Sequence, residues 1–538
     1  MTSDKEKHRK EYTDKILSSN SNKKVVVAGP GTGKTFTFNE YLKKVGGDRE
    51  SKVVMTFINP LVDDLHSDLG DMAIVRTFDS FIKEECEKNS LIKEGERYFL
   101  GANEVIKEDY EHVYGEEKNF SHLFNTLDIK EESQDVQGFV ATQNRFYKFV
   151  DPSVIKYRLN EWYNKNPDKA PRYDLVIIDE FQDFNNLEAE IITGHLSENI
   201  LLAGDDDQVL FEFKGSSPDC IRGLFNEKND YESFTLPYCS RCPTSVVHFV
   251  NKIIQHGKSV GVLPENRCDK EYLPFKEEEN ESVVFIQYAE GLKFPIEREL
   301  KNIKERGASV LILYPYSAKQ EAEKLYDYLT LRGFRINRKK EGQEKKLFEA
   351  LDILSNDQES NLGWRIVLQF LLKGEEKKVV ERCYGEKKDI FDVVDEECKN
   401  KVLDMIAVIK NFNSSKNLCK EGQKDLLLEV LEIKAGEVSK TGDRKEKVKN
   451  LKKKYLRSKL NNTLSIEMCN VGNSKGLSAD YVFIYPFSKQ YFKLQEPKDV
   501  YNIIVALTRT KKKLLIFEPE DGSKQSEIGK LCDHRVER

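Results

Sequence analysis

"KKVVVAGPGTGKT", residues 23–35, decides how the rest of the chain reads. Its valines form a short β-branched run that stops at glycine, the mark of a buried strand. The residues after it (Ala28, Gly29, Pro30, Gly31, Thr32, Gly33, Lys34 and Thr35) keep phosphate-loop spacing, with alanine in first place. Small side chains let successive backbone N–H groups turn inward around phosphate oxygens where a helix begins. Lys34 supplies a point charge for the β- and γ-phosphates, and the Thr35 hydroxyl suits Mg²⁺. An ordinary glycine turn accounts poorly for a loop placed between a strand and a helix start.

A second stretch complements the first. "YDLVIIDEFQD", residues 173–183, is an apolar strand that ends on Asp179 and Glu180. Two carboxylates at the end of a parallel strand lie where ligands bind in open α/β sheets. Asp179 is expected to hold the metal with Thr35, and Glu180 to orient and deprotonate an attacking water. The expected cofactors are therefore ATP and Mg²⁺, and the expected chemistry is ATP hydrolysis.

Working outward, apolar runs of strand length recur: "KVVMTF" and "NILLAGD" in the first half, then "SVVFIQY", "SVLILYP", "YVFIYP" and "KLLIFEP". Continuous apolar strands separated by helices predict parallel sheets covered on both faces. The expected fold class is α/β, with two parallel-sheet lobes each carrying a mainly helical insertion. The expected boundaries are 1–85 and 155–236 for the first lobe, with insertion 86–154. The second lobe takes 237–345 and 462–538, with a basic helical insertion over 346–461.

Composition excludes more than it assigns. Hydrophobic residues make up 39% of the chain and charged ones 33%, with a net charge of -6. No apolar run approaches the roughly 20 residues of a spanning helix, and the first twenty residues lack a secretory signal, so a soluble cytoplasmic protein is expected. Ten cysteines are scattered, as reduced thiols are; Cys239 and Cys242 have CxxC spacing without the second pair of a zinc site.

The ordered motifs resemble the superfamily 1 DNA helicases of the UvrD/Rep/PcrA type, over nearly the whole chain. "DEFQD" is close to that family's DExQD, and "GDDDQVLFEFKG" looks like its third motif. "VMTFINP" and "VRTFDSF" look like the motifs after the phosphate loop. "TLPYCSRCPTSVVHFVN" resembles the fourth, "CNVGNSKGLSADYVFIYP" the fifth and "IIVALTRTKKKLLIF" the sixth. The resemblance implies two RecA-like lobes and ATP-driven movement, 3′-to-5′, on single-stranded or tailed duplex DNA. It gives Gln208 the sensing of the γ-phosphate and attacking water, and Arg241 and Arg509 the charge that meets the transition state. DNA contacts are implied at Phe57, Asn59, Thr77, Phe78, Phe211, Phe213, Lys214, Ser474 and Lys475. Phe211 and Phe213 would stack on bases, although rings two residues apart also suit a strand facing a core.

Departures from the family pattern are specific. The adenine-reading glutamine is not evident in "EYTDKILSSN"; Gly472 stands at a usual histidine, Ser478 at an acidic position and Pro60 at a lysine. The compact build also resembles, in architecture, UvrD-like proteins encoded beside nucleases in antiphage systems such as Gabija. The alternative expectation is thus a nucleic-acid-sensing ATPase subunit with a protein partner such as a nuclease.

Overall fold

The apolar runs pair into two sheets in a computed structural model, which describes residues 2–57, 59–210, 215–227, 230–277, 281–289, 294–338, 343–371, 374–413 and 464–537. The first sheet holds β1 (Lys23–Ala28), β2 (Lys52–Thr56), β3 (Ile74–Thr77), β4 (Leu175–Asp179), β5 (Ile200–Gly204) and β6 (Glu232–Leu236). All six run parallel in the order β3-β2-β4-β5-β1-β6. β4, β5 and β1 are therefore adjacent, and the loops leaving Asp179, Gly204 and Ala28 emerge side by side. That adjacency builds the site.

The second sheet has seven parallel strands: β7 (Val283–Tyr288), β8 (Ser309–Tyr314), β9 (Ile336–Arg338), β10 (Ser465–Asn470), β11 (Ala479–Ile484), β12 (Thr510–Pro519) and β13 (Val536–Glu537). Their order is β9-β10-β8-β11-β12-β7-β13. Both faces are buried, as the unbroken apolar runs require. Val283 and Phe285 enter one core and Val284 and Ile286 the other. The expected α/β class with two RecA-like lobes is observed.

The chain divides into two compact units. One contains both sheets, over 1–85, 159–338 and 460–538. The other contains both insertions, 86–158 and 339–459, which share a core. Phe99, Val105, Tyr147 and Phe149 of the first insertion pack with Leu347, Leu351, Trp364 and Val367 of the second. Within that core the fully buried Arg365 donates from Nε to Asp109 at 2.9 Å, and Tyr147 donates to the same carboxylate. Of the second insertion's apolar stretches, "GWRIVLQFL", residues 363–371, lies in the helix Asn361–Leu371. The basic stretch "KTGDRKEKVKNLKKKYLRSKL" at 440–460 lies outside the described residues.

Candidate active site

The phosphate loop leaves β1 and enters the helix Lys34–Val45. Gly31 has φ +67°, in the left-handed region, and a side chain there would collide with Arg241 Cβ at 2.4 Å. Glycine answers both demands. Ser240 clamps the same residue, donating to the Gly31 carbonyl from its backbone N–H at 2.9 Å and from Oγ at 2.8 Å. The loop carrying Arg241 is thereby seated directly on the phosphate loop. Thr32 Oγ1 donates to the Gly29 carbonyl at 2.9 Å.

β4 delivers the acids. Lys34 Nζ donates to Glu180 Oε1 at 2.7 Å and lies 3.5 Å from Asp179 Oδ1. Glu180 has φ 57° and ψ 42°, a costly left-handed conformation for a residue with a side chain. The turn points the carboxylate back at Lys34. Burial opposes the Lys34 charge, yet Asp179 and Glu180 hold its ammonium well above the usual range. Burial likewise opposes the Glu180 charge, but Lys34 and then Lys475 keep its carboxyl far below the carboxylate range. Glu180 is thus ionised in this arrangement. For Asp179 burial wins over Lys34, and its carboxyl is raised. Asp179 Oδ1 is buried without a hydrogen-bond partner. With the Thr35 hydroxyl nearby in sequence on the helix start, this oxygen donor set fits a hard divalent cation.

The second lobe contributes cations to the site. Arg509 follows the helix Pro497–Thr508, whose first turn is fixed by a Glu496–Asp499 capping box. Its Nη2 donates to Gln208 Oε1 at 2.9 Å and its Nε to the Val505 carbonyl at 3.0 Å. Burial, and then the like charge of Arg241, brings the Arg509 guanidinium down to about 10. Two converging arginines repel one another, an arrangement relieved by an anion between them.

The expected DNA-contact residues are dispersed. Lys475 is buried; its Nζ lies 2.5 Å from Asp183 Oδ2 and donates to the Gln208 carbonyl at 2.9 Å. Ser474 is fully buried and donates to the Val471 carbonyl. Phe78 is buried against Phe81 and Phe184, and Phe57 is half-buried with its ring centroid 5.8 Å from that of Phe184. Thr77 accepts from the Ser80 N–H. Asn59 opens the helix Asn59–Leu69. Phe211, Phe213 and Lys214 lie outside the described residues.

Sequence reasoning missed several residues that complete the site. Gln182 donates to Glu180 Oε2 at 2.7 Å and accepts the Asp205 N–H at 2.9 Å, tying β4's loop to β5's. Asp183, pushed by burial to about 6 in spite of Lys475, anchors that lysine. Asp205, Asp206 and Asp207 are fully buried and face three cations. Arg222 meets Asp206 at 2.8 Å, Arg267 meets Asp207 at 2.6 Å and Lys270 meets Asp205 at 2.6 Å. The run "GDDDQ" signals this need, since three buried acids demand partners; "NRCDKEY" at 266–272 supplies two of them. The triad's carboxylate oxygens come within 4.8 Å of one another, but their charge is met by side chains. Cys239 and Cys242 are buried, and Cys242 donates to the Thr508 carbonyl at 3.5 Å. Hydrogen bonding from Cys242 brings the Cys239 thiol down to about 6 despite burial.

Residues 14–214 match the AAA domain family. The chain is 21% identical over 289 residues to a probable DNA helicase II homolog of Mycoplasma pneumoniae, covering 43% of this chain and 39% of that protein. It is 23% identical over 285 residues to a protein of Natranaerobius thermophilus named as an ATP-dependent helicase/nuclease subunit, covering 48% and 20%. Against DNA helicase II of Escherichia coli it is 25% identical over 114 residues, covering 20% and 16%. The chain spans less than two-fifths of the length of each of these relatives. Among the described residues, no helix is long and apolar enough to cross a membrane.

Proposed function

We propose, from its kinship with the superfamily 1 UvrD/Rep-like helicases, that this chain is an ATP-driven DNA helicase or translocase. One observation carries the reading. Lys34, Asp179 and Glu180 of the first lobe are joined to Arg509 of the second by a run of hydrogen bonds, from Glu180 to Gln182, Asp205 and Gln208, which Arg509 holds at 2.9 Å. Nucleotide chemistry and lobe contact thus share one set of side chains.

In this reading, the loop from Ala28 to Thr35 cradles the phosphates, and Lys34 turns from the carboxylates to the β- and γ-phosphates. Asp179 and Thr35 would hold Mg²⁺, which when bound neutralises phosphate charge. Glu180, released from Lys34, takes the proton of the attacking water. Gln208 orients that water, and Arg241 and Arg509 meet charge developing on the γ-phosphoryl group. Departure of the cleaved phosphate after hydrolysis restores the repulsion between the arginines and loosens the lobes. A strand held on Phe211 and Phe213, just after Gln208 in the chain, would shift with each cycle, in the 3′-to-5′ direction.

A second reading is favoured by the relative whose name describes part of a helicase/nuclease: an ATPase that unwinds only beside a protein partner. ATP turnover of the purified chain, measured alone, with single-stranded DNA and with RNA, tests the motor. Strand displacement on a 3′-tailed duplex separates the two readings. DNA-stimulated turnover with displacement is expected. Turnover without displacement selects the partner-dependent ATPase, and turnover indifferent to any polynucleotide defeats both.

A further inference from the structure

We propose that Tyr272 is a positioning residue for Gln208, acting through Asp205; this rests on Gln208 serving the hydrolysis just described. The Gln208 amide is held at both ends. Nε2 donates to Asp205 Oδ2 at 2.5 Å, and Oε1 accepts from Arg509 Nη2 at 2.9 Å. A carboxylate only accepts and a guanidinium only donates, so this pair fixes which end of the amide faces which neighbour. The alignment holds only while the Asp205 carboxylate keeps its own orientation.

Tyr272 governs that orientation. Its hydroxyl reaches both oxygens of Asp205, at 2.9 Å to Oδ1 and 2.7 Å to Oδ2, with Asp207 Oδ2 at 3.3 Å. Lys270 also binds Asp205, but its ammonium is shared with Asp206 and Asp207 and favours no single carboxylate plane. Burial and the flanking Asp205 and Asp207 raise the Tyr272 phenol well above its usual range, so it remains a donor. The ring lies on the first glycine of the phosphate loop: a Cβ at Gly29 would stand 2.2 Å from Tyr272 Cε1. The phosphate loop and the γ-phosphate sensor are thereby supported by one side chain, the loop by an edge of its ring and the sensor, through Asp205, by its hydroxyl.

A residue with a purely architectural part would change stability and leave the chemistry alone. The test is a double-mutant cycle on the full chain, using Tyr272→Phe, Gln208→Ala and the pair together. Tyr272→Phe keeps the ring on Gly29 and leaves Asp205 its bonds from Lys270 and the Asp207 N–H, so folding is preserved. Steady-state turnover should show kcat down about tenfold, the loss of one hydrogen bond to a charged group, with KM for ATP unchanged. In the Gln208→Ala background the same substitution should cost nothing further. An equal loss in both backgrounds, or an unchanged kcat with only a lowered melting temperature, overturns the proposal. If Tyr272→Phe melts too low to assay, Asp205→Asn carries the same cycle, because an amide there no longer dictates which end of Gln208 it meets. A wild-type chain that binds a fluorescent ATP analogue and never hydrolyses ATP is a different result: it defeats the motor reading, and this inference with it.

Discussion

Two acidic clusters stand at the ends of neighbouring strands and were built for opposite purposes. After β5, Asp205, Asp206 and Asp207 are fully buried, and every carboxylate faces Arg222, Arg267 or Lys270. After β4, Asp179, Glu180 and Asp183 share Lys34 and Lys475, three carboxylate oxygens (Asp179 Oδ1 and both of Asp183) have no hydrogen-bond partner, and the backbone at Glu180 is left-handed. The first cluster is closed: its charges are met within the protein and it fastens side chains of both lobes. The second is short of positive charge and strained, which is what the proposed reading asks of a site for a cation and a reacting water. Similar residues in similar topological positions are therefore distinguished by what reaches them from elsewhere in the chain.

The sharpest way to break this comparison is Glu180→Gln. Turnover should fall by about 10²–10⁴-fold while nucleotide binding persists, because only the proton acceptor is removed. Binding and single-turnover assays on the same preparation check this. An equally large loss of binding would make the β4 cluster as structural as its neighbour.

Next in size is Asp206→Ala, which removes the carboxylate partner of the buried Arg222. Removing one partner of a buried ionic group costs about 3–5 kcal/mol, read from urea denaturation. A loss below about 1 kcal/mol would mean that the triad is solvated and not a fastening.

The smallest effect is a pH dependence. Burial raises the Asp183 carboxyl from its usual 3.8 to about 6. The folded protein then keeps this proton to higher pH than the unfolded chain does. The resulting stabilisation is complete below the unfolded value and disappears as pH rises through about 6. Asp183→Asn cannot titrate, so its stability relative to wild type should improve by about 2–3 kcal/mol between pH 4 and pH 7. Denaturation curves for both proteins at the two pH values measure that difference. A constant gap would show that Lys475 fully compensates the buried charge.

Much of the site is readable because local sequence carries it. The phosphate loop, Asp179 and Glu180 each follow a strand whose apolar run is visible, and the ends of neighbouring strands converge in any parallel sheet. Lys475 shows the limit. Its motif suggests a contact with nucleic acid, yet in the structure its ammonium is spent on Asp183 and the Gln208 carbonyl, nearly 300 residues away in the first case. Likewise the second insertion carries helical periodicity and the first many helix formers, but nothing in either pattern says that Phe149 and Trp364 belong to one core.

By itself the sequence determined the strands, the glycine-rich loop between the first strand and its helix, and the α/β class, since each depends on residues within about ten positions of one another. Tertiary structure alone decided which acids are neutralised, which amide is clamped and which helices share a core. Those outcomes depend on charge pairing and packing between segments 60 to 300 residues apart, and side-chain complementarity at such separations leaves no period to read.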